Sequence, residues 1–243
     1  MNKKIKRLFY RGVILLVGGY LPIAPAVQHG GVSLTPTRLI FQASDTAQSL
    51  TIKNQDEKTY LIQAGSQISP DNIQPAPFIV TPPLFRLEPG SKNSLRVLRS
   101  GNTVLPDDRE SVFYLSALAI PAGEIEEAQS KNGIQLSMGF RFYIKLLYRP
   151  AGLAMTAEEA GCRLRLKQRG NNVQVVNPTP YALTLATLAF DERAIDLDRW
   201  PAMIAPFTQQ DYPAPQRVVK GQWQVVTDYG GISTFCRQAM AQD

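Results

Sequence analysis

Few residues of this sequence could take part in catalysis. The only histidine, His29, lies in a Gly-rich segment near the start of the chain, so a Ser-His-Asp or Cys-His arrangement would depend on a frayed terminus. The sequence contains no phosphate-binding loop, no dinucleotide-binding fingerprint and no Cys-x-x-Cys pair. We therefore expect no enzymatic activity and no cofactor.

Three consecutive charged residues, Asp108, Arg109 and Glu110, could be mistaken for a catalytic cluster. Acidic and basic neighbours at the entrance to a strand more often form a structural ion-pair network. We interpret these three residues as such a network.

The first 26 residues have the pattern of a secretory signal peptide, and we predict cleavage after Ala26. Five basic residues come first, an apolar run over 13–21 follows, and Ala24-Pro25-Ala26 supplies the small residues of a cleavage site. A membrane anchor is the alternative, but the apolar run is shorter than the roughly 20 residues of a spanning helix, and two glycines and Pro22 interrupt it. We therefore predict export without stable membrane insertion.

The charge balance of the mature chain argues against nucleic-acid binding. Five of the 26 Lys+Arg residues lie in the signal segment, so 21 basic residues remain against 20 acidic residues, a net charge of +1. This balance offers no general attraction to nucleic acid. With 44% hydrophobic residues among 243, the chain suits one or two globular domains.

The two cysteines, Cys162 and Cys236, belong to a chain predicted to be exported, where thiols tend to oxidise. We predict one disulfide between them, which would stabilise the fold by about 4 kcal/mol in a chain-entropy model. Two buried free thiols are the alternative. A metal site is disfavoured, because no histidine and no second cysteine pair lies near them.

The body of the chain consists of short segments rich in β-branched and aromatic residues, separated by turn residues, so the predicted fold class is all-β. The segment 149–152, with Pro150 and Gly152, divides a first domain at 27–150 from a second at 151–243, and the first is close to the pattern of a β-sandwich. A short helical turn is expected within 154–160, and the disulfide would join the first and last strands of the second domain. The predicted strands are 32–41, 48–53, 60–64, 78–81, 84–87, 94–98, 111–119 and 134–148, then 163–167, 173–176, 182–190, 203–207, 217–219, 222–227 and 232–236.

The predicted strand 134–148 is unusually long, and its even positions are apolar from residue 134 to residue 144. Two interpretations are open for its first four apolar positions. They line the half-buried face of a long sandwich strand, or they form an apolar row on an edge that is offered to a partner. Soluble proteins normally avoid such edges, because an exposed flat apolar strand pairs indiscriminately. The four residues are Ile134, Leu136, Met138 and Phe140.

Seven segments in a fixed order carry a family resemblance. They are TPTRLIF (35–41), FIVTPPLFRLEPG (78–90), LPDDRESVFY (105–114), IP (120–121), YIKLLYRP (143–150), NPTPY (177–181) and DYGG (228–231). Together they resemble the periplasmic chaperones of the chaperone/usher pilus pathway, the PapD-like family, over nearly all of the mature chain. The sequence departs from the family's pattern at Ser116-Ala117, where Asn or Cys is usual at the first position, and at Gly65-Ser66, in a segment that often contains Trp.

The resemblance implies two immunoglobulin-like β-sandwich domains set at an angle, with a cleft between them. By the family's pattern, Arg38 and Lys145 anchor the C-terminal carboxylate of a pilus subunit in that cleft. The apolar row at 134–140 would be the donor strand that completes the subunit's fold, and the charged residues 108–110 would link the two domains.

The resemblance also implies the partners. We expect an ATP-independent periplasmic chaperone that binds pilus subunits one to one and delivers them to an outer-membrane usher. The polar segment 121–133 resembles the short-loop branch of the family. In the free chain, we expect this loop and the start of the long strand to be mobile or hidden by self-association.

A structural surface protein, such as a two-domain adhesin or a pilus subunit, is the alternative from another class. A subunit should carry an N-terminal donor extension and lack its last strand, whereas this chain has a long internal strand and a full second domain. An adhesin would not be expected to carry Arg38 and Lys145 in these contexts.

Overall fold

The structure, a computed structural model, describes residues 31–101, 103–122 and 138–240. The predicted signal peptide, His29, Ile134 and Leu136 lie outside the described residues. Within the described ranges the chain forms two β-rich regions, joined by the segment 150–156.

Two facing sheets form the first region. One has the strand order β1-β3-β7-β5, and the other has the order β2-β9-β8-β4-β6. The apolar faces of both sheets meet in a common core that includes Phe41, Ile52, Ile62 and Leu146. The strands are β1 (Val32–Thr35), β2 (Arg38–Gln42), β3 (Gln48–Asn54), β4 (Tyr60–Gln67), β5 (Phe78–Thr81), β6 (Leu84–Leu87), β7 (Lys92–Arg99), β8 (Ser111–Pro121) and β9 (Phe140–Arg149).

The single strand predicted over 32–41 is wrong, because the chain forms two strands there. Strand β1 pairs with β3 in one sheet, whereas β2 pairs with β9 in the other. Pro36 lies between them and has no backbone N–H to donate to a ladder, so the strand is interrupted where the chain changes sheets. This crossover sets the start of β2 at Arg38.

The second region contains one short helix and two sheets with a separate core around Leu188, Tyr212 and Trp223. One sheet has the order β10-β11-β15, and the other has the order β13-β12-β16-β17, with β14 paired to β12. The elements are α1 (Ala157–Gly161), β10 (Arg165–Arg169), β11 (Asn172–Val176), β12 (Leu183–Phe190), β13 (Arg193–Ala194), β14 (Met203–Ile204), β15 (Gln209–Pro213), β16 (Lys220–Val225) and β17 (Cys236–Ala239).

The second region differs from prediction in its polar segments. Strand β15 was not predicted, because its first three residues are polar and it is a strand through its pairing with β11. The strand predicted over 217–219 does not form, because side chains satisfy its backbone: Val218 N donates to Gln168 Oε1, and Val219 N donates to Asp191. At the C-terminal end, a strand was expected over 232–236, but β17 begins only at Cys236.

The disulfide between Cys162 and Cys236 is confirmed. Cys162 follows the last residue of α1, and Cys236 is the first residue of β17. The disulfide therefore ties the end of the helix to the last strand, and the expectation that it starts from the first strand of this region is wrong.

The two positions that depart from the family's pattern are neighbours in space. Gly65 in β4 lies directly opposite Ser116 in β8, and Ala64 lies opposite Ala117. A Cβ atom placed on Gly65 would have no other atom within 4 Å. The two departures therefore fall at one place on the sheet, on strands that pair through their whole length around it.

Candidate functional site

Two cations meet where β2 and β9 begin to pair. The strands run parallel, and Arg38, the first residue of β2, lies opposite Lys145 in β9. Since side chains alternate across a strand, both point away from the core face that carries Leu39 and Leu146. Arg38 is only 6% exposed and Lys145 is half-buried. The sheet thus places a buried and a half-buried positive charge side by side, facing the second region.

Both cations also contact the second region. Arg38 donates from its guanidinium to the Val226 carbonyl at 3.0 Å, and Lys145 Nζ donates to Thr184 Oγ1 at 3.2 Å. Val226 and Thr184 are themselves joined, because Val226 N donates to the Thr184 carbonyl at 2.8 Å. Among the residues that the structure describes, neither cation forms an ion pair with a carboxylate.

Burial makes these charges costly. It lowers the pKa of Arg38, an effect that the charges of Asp228 and Glu110 partly offset. Burial and then the neighbouring charge of Arg38 lower the pKa of Lys145. A cavity of about 760 Å³ between the two regions opens beside Arg38. An anion held between the two side chains would stabilise both of their charged forms through charge-assisted hydrogen bonds.

Strand β9 has a free edge next to this pair. Strand β8 pairs with β9 along Phe140–Tyr148, whereas β2 pairs with it only over Lys145–Arg149. On the β2 side, the backbone of residues 140–144 therefore has no strand partner within the described part of the chain. Met138 lies just before this edge and is 62% exposed, and Phe140 is the first residue of the edge and is 54% exposed.

The apolar row predicted on the long strand is described only in part. Phe142 packs partly against the first core and Ile144 is buried in it, so the alternation continues from exposed to buried positions. Met138 and Phe140 lie on the exposed side of this transition. Ile134 and Leu136 are outside the described residues.

A buried ion-pair network joins the two regions behind the cations. The Arg149 guanidinium donates to Glu110 Oε1 at 2.7 Å and, through its two terminal nitrogens, to the Asp228 carboxylate at 2.7 and 2.8 Å. Glu110 Oε2 accepts from Ala182 N at 2.9 Å, and Glu110 N donates to the Pro180 carbonyl. Burial raises the pKa of Glu110, and Arg149 counteracts this effect.

The interpretation of residues 108–110 as a single network needs correction. Glu110 belongs to the network with Arg149 and Asp228, but Asp108 and Arg109 form a separate, solvent-exposed pair. Arg109 reaches the second region in another way, with its guanidinium over the ring of Phe207 at 4.9 Å from the centroid. Glu110 is buried just before β8, whereas the side chains of Asp108 and Arg109 are 55% and 42% exposed.

Arg149 and Asp228 were not predicted as members of the network. Arg149 lies in the YIKLLYRP segment and Asp228 in DYGG, so the motifs contained both residues without indicating their pairing. A usable signal was present for Arg149, because it directly follows the apolar residues Leu146, Leu147 and Tyr148, where an ionised side chain needs a partner. The partner itself comes from 79 residues along the chain.

Among the described residues, no cluster of His, Cys, Asp and Glu side chains could hold a metal ion. None of the helices in the described ranges is long and apolar enough to cross a membrane.

Both regions of the chain match models of known protein families. Residues 31–154 match the family model for the pili and flagellar-assembly chaperone, PapD N-terminal domain, and residues 159–236 match the model for the pili assembly chaperone PapD, C-terminal domain. The chain is 35% identical over 205 residues to chaperone protein FimC of Escherichia coli K12, covering 84% of this chain and 82% of that protein. It is 32% identical over 223 residues to chaperone protein FimB/FhaD of Bordetella pertussis, covering 88% and 89%.

Solved structures agree. The chain matches the Salmonella enterica structure of the SafA pilin in complex with the SafB chaperone, with a TM-score of 0.76, 31% identity and coverage of 86% of this chain and 96% of that one. It matches the E. coli chaperone DraB with a TM-score of 0.75, 32% identity and coverage of 86% and 97%.

Proposed function

The chain belongs to the PapD-like family of pilus-assembly chaperones, and from this membership we propose that it binds a pilus subunit along the free edge of β9 and anchors the subunit's C-terminal carboxylate on Arg38 and Lys145. The relatives FimC and FimB/FhaD are both named as chaperone proteins. One of the matched structures is that of a chaperone together with a pilin.

The observation that carries the proposal is the position of the two cations at the end of the free edge. A strand added along residues 140–144, parallel to β9 and in line with β2, would end where β2 begins. Its terminal carboxylate would then fall beside Arg38 and Lys145, which have no carboxylate partner of their own among the described residues. Two fixed cations could hold it by hydrogen bonds that contribute about 1.5 to 3 kcal/mol each.

Anchoring the carboxylate would also set the register of the added strand. A slip of one residue would turn every side chain of the subunit strand to the wrong face. With the register set, Met138 and Phe140 would enter the core of the subunit, and the alternation of the sequence adds Ile134 and Leu136. Four buried side chains at about 1.5 to 3 kcal/mol each would contribute roughly 6 to 12 kcal/mol before the costs of ordering.

This mechanism requires no ATP, because the binding energy itself completes the subunit's fold by donor-strand complementation. We propose the periplasm as the compartment, with the signal peptide removed after Ala26. The two domains would extend over 27–150 and 151–243. Delivery of the held subunit to an outer-membrane usher would follow, and the disulfide suits an oxidising compartment.

Co-purification from the periplasm of the native host tests this function. Tagged wild type is compared with Arg38→Ala, Lys145→Ala and the control Lys53→Ala, which removes an exposed cation from β3 in the other sheet. Wild type and Lys53→Ala should retain a small subunit at a one-to-one ratio, identified by mass spectrometry, and the two anchor variants should lose it. Equal recovery with all four proteins would refute the anchor.

A further inference from the structure

The turn between β16 and β17 contacts the first region at three consecutive points. The Val226 carbonyl accepts from Arg38, and Asp228 is bonded to Arg149. Within the turn, Thr227 N donates to the Gly231 carbonyl at 2.8 Å and Gly230 N donates to the Thr227 carbonyl at 2.9 Å. These bonds make residues 226–231 a closed unit, so a displacement at one end is transmitted to the other.

Gly230 provides the third contact. Its φ is +81°, a conformation that L side chains rarely adopt. In addition, a Cβ atom at this position would lie 2.5 Å from Thr37 Oγ1, closer than real Cβ atoms approach any neighbour. Thr37 immediately precedes Arg38 at the start of β2. A side chain at residue 230 would therefore force the turn or the Thr37 side chain to shift.

We propose that the contact between Gly230 and Thr37 is the seat that fixes the position of Arg38 in the cleft, which makes Gly230 a positioning residue for the carboxylate anchor. The inference rests on the proposed function of Arg38 and Lys145. With the seat intact, the Val226 carbonyl holds one guanidinium nitrogen of Arg38 and leaves the remaining donors for an incoming carboxylate. A side chain at 230 would push the turn away from Thr37 and carry Val226 and Asp228 with it.

The seat can be tested without a subunit, using acetate as the carboxylate probe. Acetate is titrated into the mature full-length chain at constant ionic strength, and the side-chain N–H resonances of Arg38 are followed by NMR. Gly230→Ala should weaken the acetate affinity by about tenfold, the equivalent of losing one hydrogen bond to a charged group. Residual dipolar couplings of the same samples should show a changed orientation between the two regions.

A second substitution separates the contact from backbone strain. Thr37→Ala removes Oγ1, and the next Thr37 atom lies at 3.9 Å from the added Cβ, an ordinary contact distance. Thr37→Ala alone is the reference, because residue 230 is still a glycine in it and no added Cβ displaces the turn. The double variant Gly230→Ala with Thr37→Ala should match the acetate affinity of Thr37→Ala to within about twofold, since only strain in the turn remains.

The control is Gly170→Ala, which introduces the same type of strain at φ +56° in the same region, where an added Cβ has no neighbour within 4 Å. It should leave the acetate affinity unchanged. The inference is wrong if Gly230→Ala binds acetate as wild type does, or if the double variant binds as weakly as Gly230→Ala. A wild-type chain whose Arg38 shows no saturable response to acetate would instead refute the anchor itself.

Discussion

The two halves of strand β9 follow one sequence pattern but differ in their surroundings. From Lys145 to Tyr148, the strand lies between β2 and β8, and its apolar side chains are buried. From Phe140 to Ile144, it pairs with β8 alone within the described part of the chain, and the Phe140 ring is half exposed. Lys145 stands at the boundary, opposite the first residue of β2.

This difference shows that the length of a neighbouring strand decides what an alternating strand does. Both halves have the apolar, period-2 face of a sandwich strand. The chain's own β2 completes the second half, and because β2 starts at Arg38, the first half has an edge without a strand partner among the described residues. The same apolar pattern therefore contributes to a core in one half and, in the function proposed above, to a binding surface in the other.

The largest expected effect tests whether the halves differ in stability. Leu146 is fully buried, so Leu146→Ala should destabilise the first region by about 4 kcal/mol through lost burial and a residual cavity. Phe140→Ala should change the stability of the free chain by less than about 0.5 kcal/mol, because the ring is already exposed.

Native-state hydrogen exchange of the β8 amides measures both variants. Tryptophan fluorescence is unsuitable, since both tryptophans, Trp200 and Trp223, lie in the second region. Comparable losses of protection for Leu146→Ala and Phe140→Ala would mean that the free chain already covers the Phe140 half, and the contrast between the halves would fail.

The next effect concerns the ion-pair network of Arg149, the last residue of β9. Glu110→Ala removes the acceptor for Arg149 Nε and for Ala182 N, and should cost about 3 kcal/mol, since it leaves buried donors without a partner. The matched control, Asp108→Ala, removes an exposed carboxylate and should produce no measurable change. Thermal unfolding compares them. A similar loss of stability in both variants would mean that residues 108–110 form the single network expected from the sequence.

Much of this contrast could be predicted from the sequence. Alternation located the strand, and the resemblance placed Arg38 and Lys145 at one site, which the structure shows as direct neighbours in register. Polar strand β15 escaped prediction because its strand character depends on pairing with β11, an interaction between distant segments. The division of residues 32–41 was predictable in principle, because Pro36 cannot donate to a ladder.

The ion-pair network shows the limit of local inference more clearly. Three adjacent charges suggested one cluster, but Glu110 is buried and paired with Arg149, whereas Asp108 lies in solvent and is paired with Arg109. The partners of Glu110 are Arg149 and Ala182, at sequence distances of 39 and 72 residues. A pattern read along the chain identifies a charge that needs a partner, and only the folded arrangement of the two regions identifies that partner.

A smaller effect is expected on subunit binding by the half of β9 that does not pair with β2. Phe140→Ala should weaken the complex with the co-purified subunit by about 2 kcal/mol, since the ring would be buried only in the complex. Arg141→Ala is the control, because its side chain is exposed on the opposite face of the same strand. Calorimetric titration of the two variants should separate them. If Arg141→Ala weakened binding as much as Phe140→Ala, the subunit would be reading the other face of β9.

The smallest effect is a pH dependence at the boundary between the halves. Burial, and to a lesser extent the charge of Arg38, lower the pKa of Lys145. A carboxylate bound beside Lys145 favours the charged amine and therefore raises that pKa again. The affinity for the subunit should be highest below the lowered pKa that Lys145 has in the free chain. It should fall as the pH rises through that pKa, by at most about tenfold, because one charge-assisted hydrogen bond is lost.

Lys145→Arg makes this dependence specific. A guanidinium keeps its charge far above the range in which an amine titrates, so the variant should bind the subunit with an affinity that stays flat between about pH 7 and pH 10. Wild type should lose affinity as the pH rises through the lowered pKa of Lys145, and the ¹⁵N chemical shift of Lys145 Nζ should report the matching titration. If the affinities of both proteins declined in parallel, the titrating group would lie on the subunit. Lys145 would then be a structural cation and not part of the binding site.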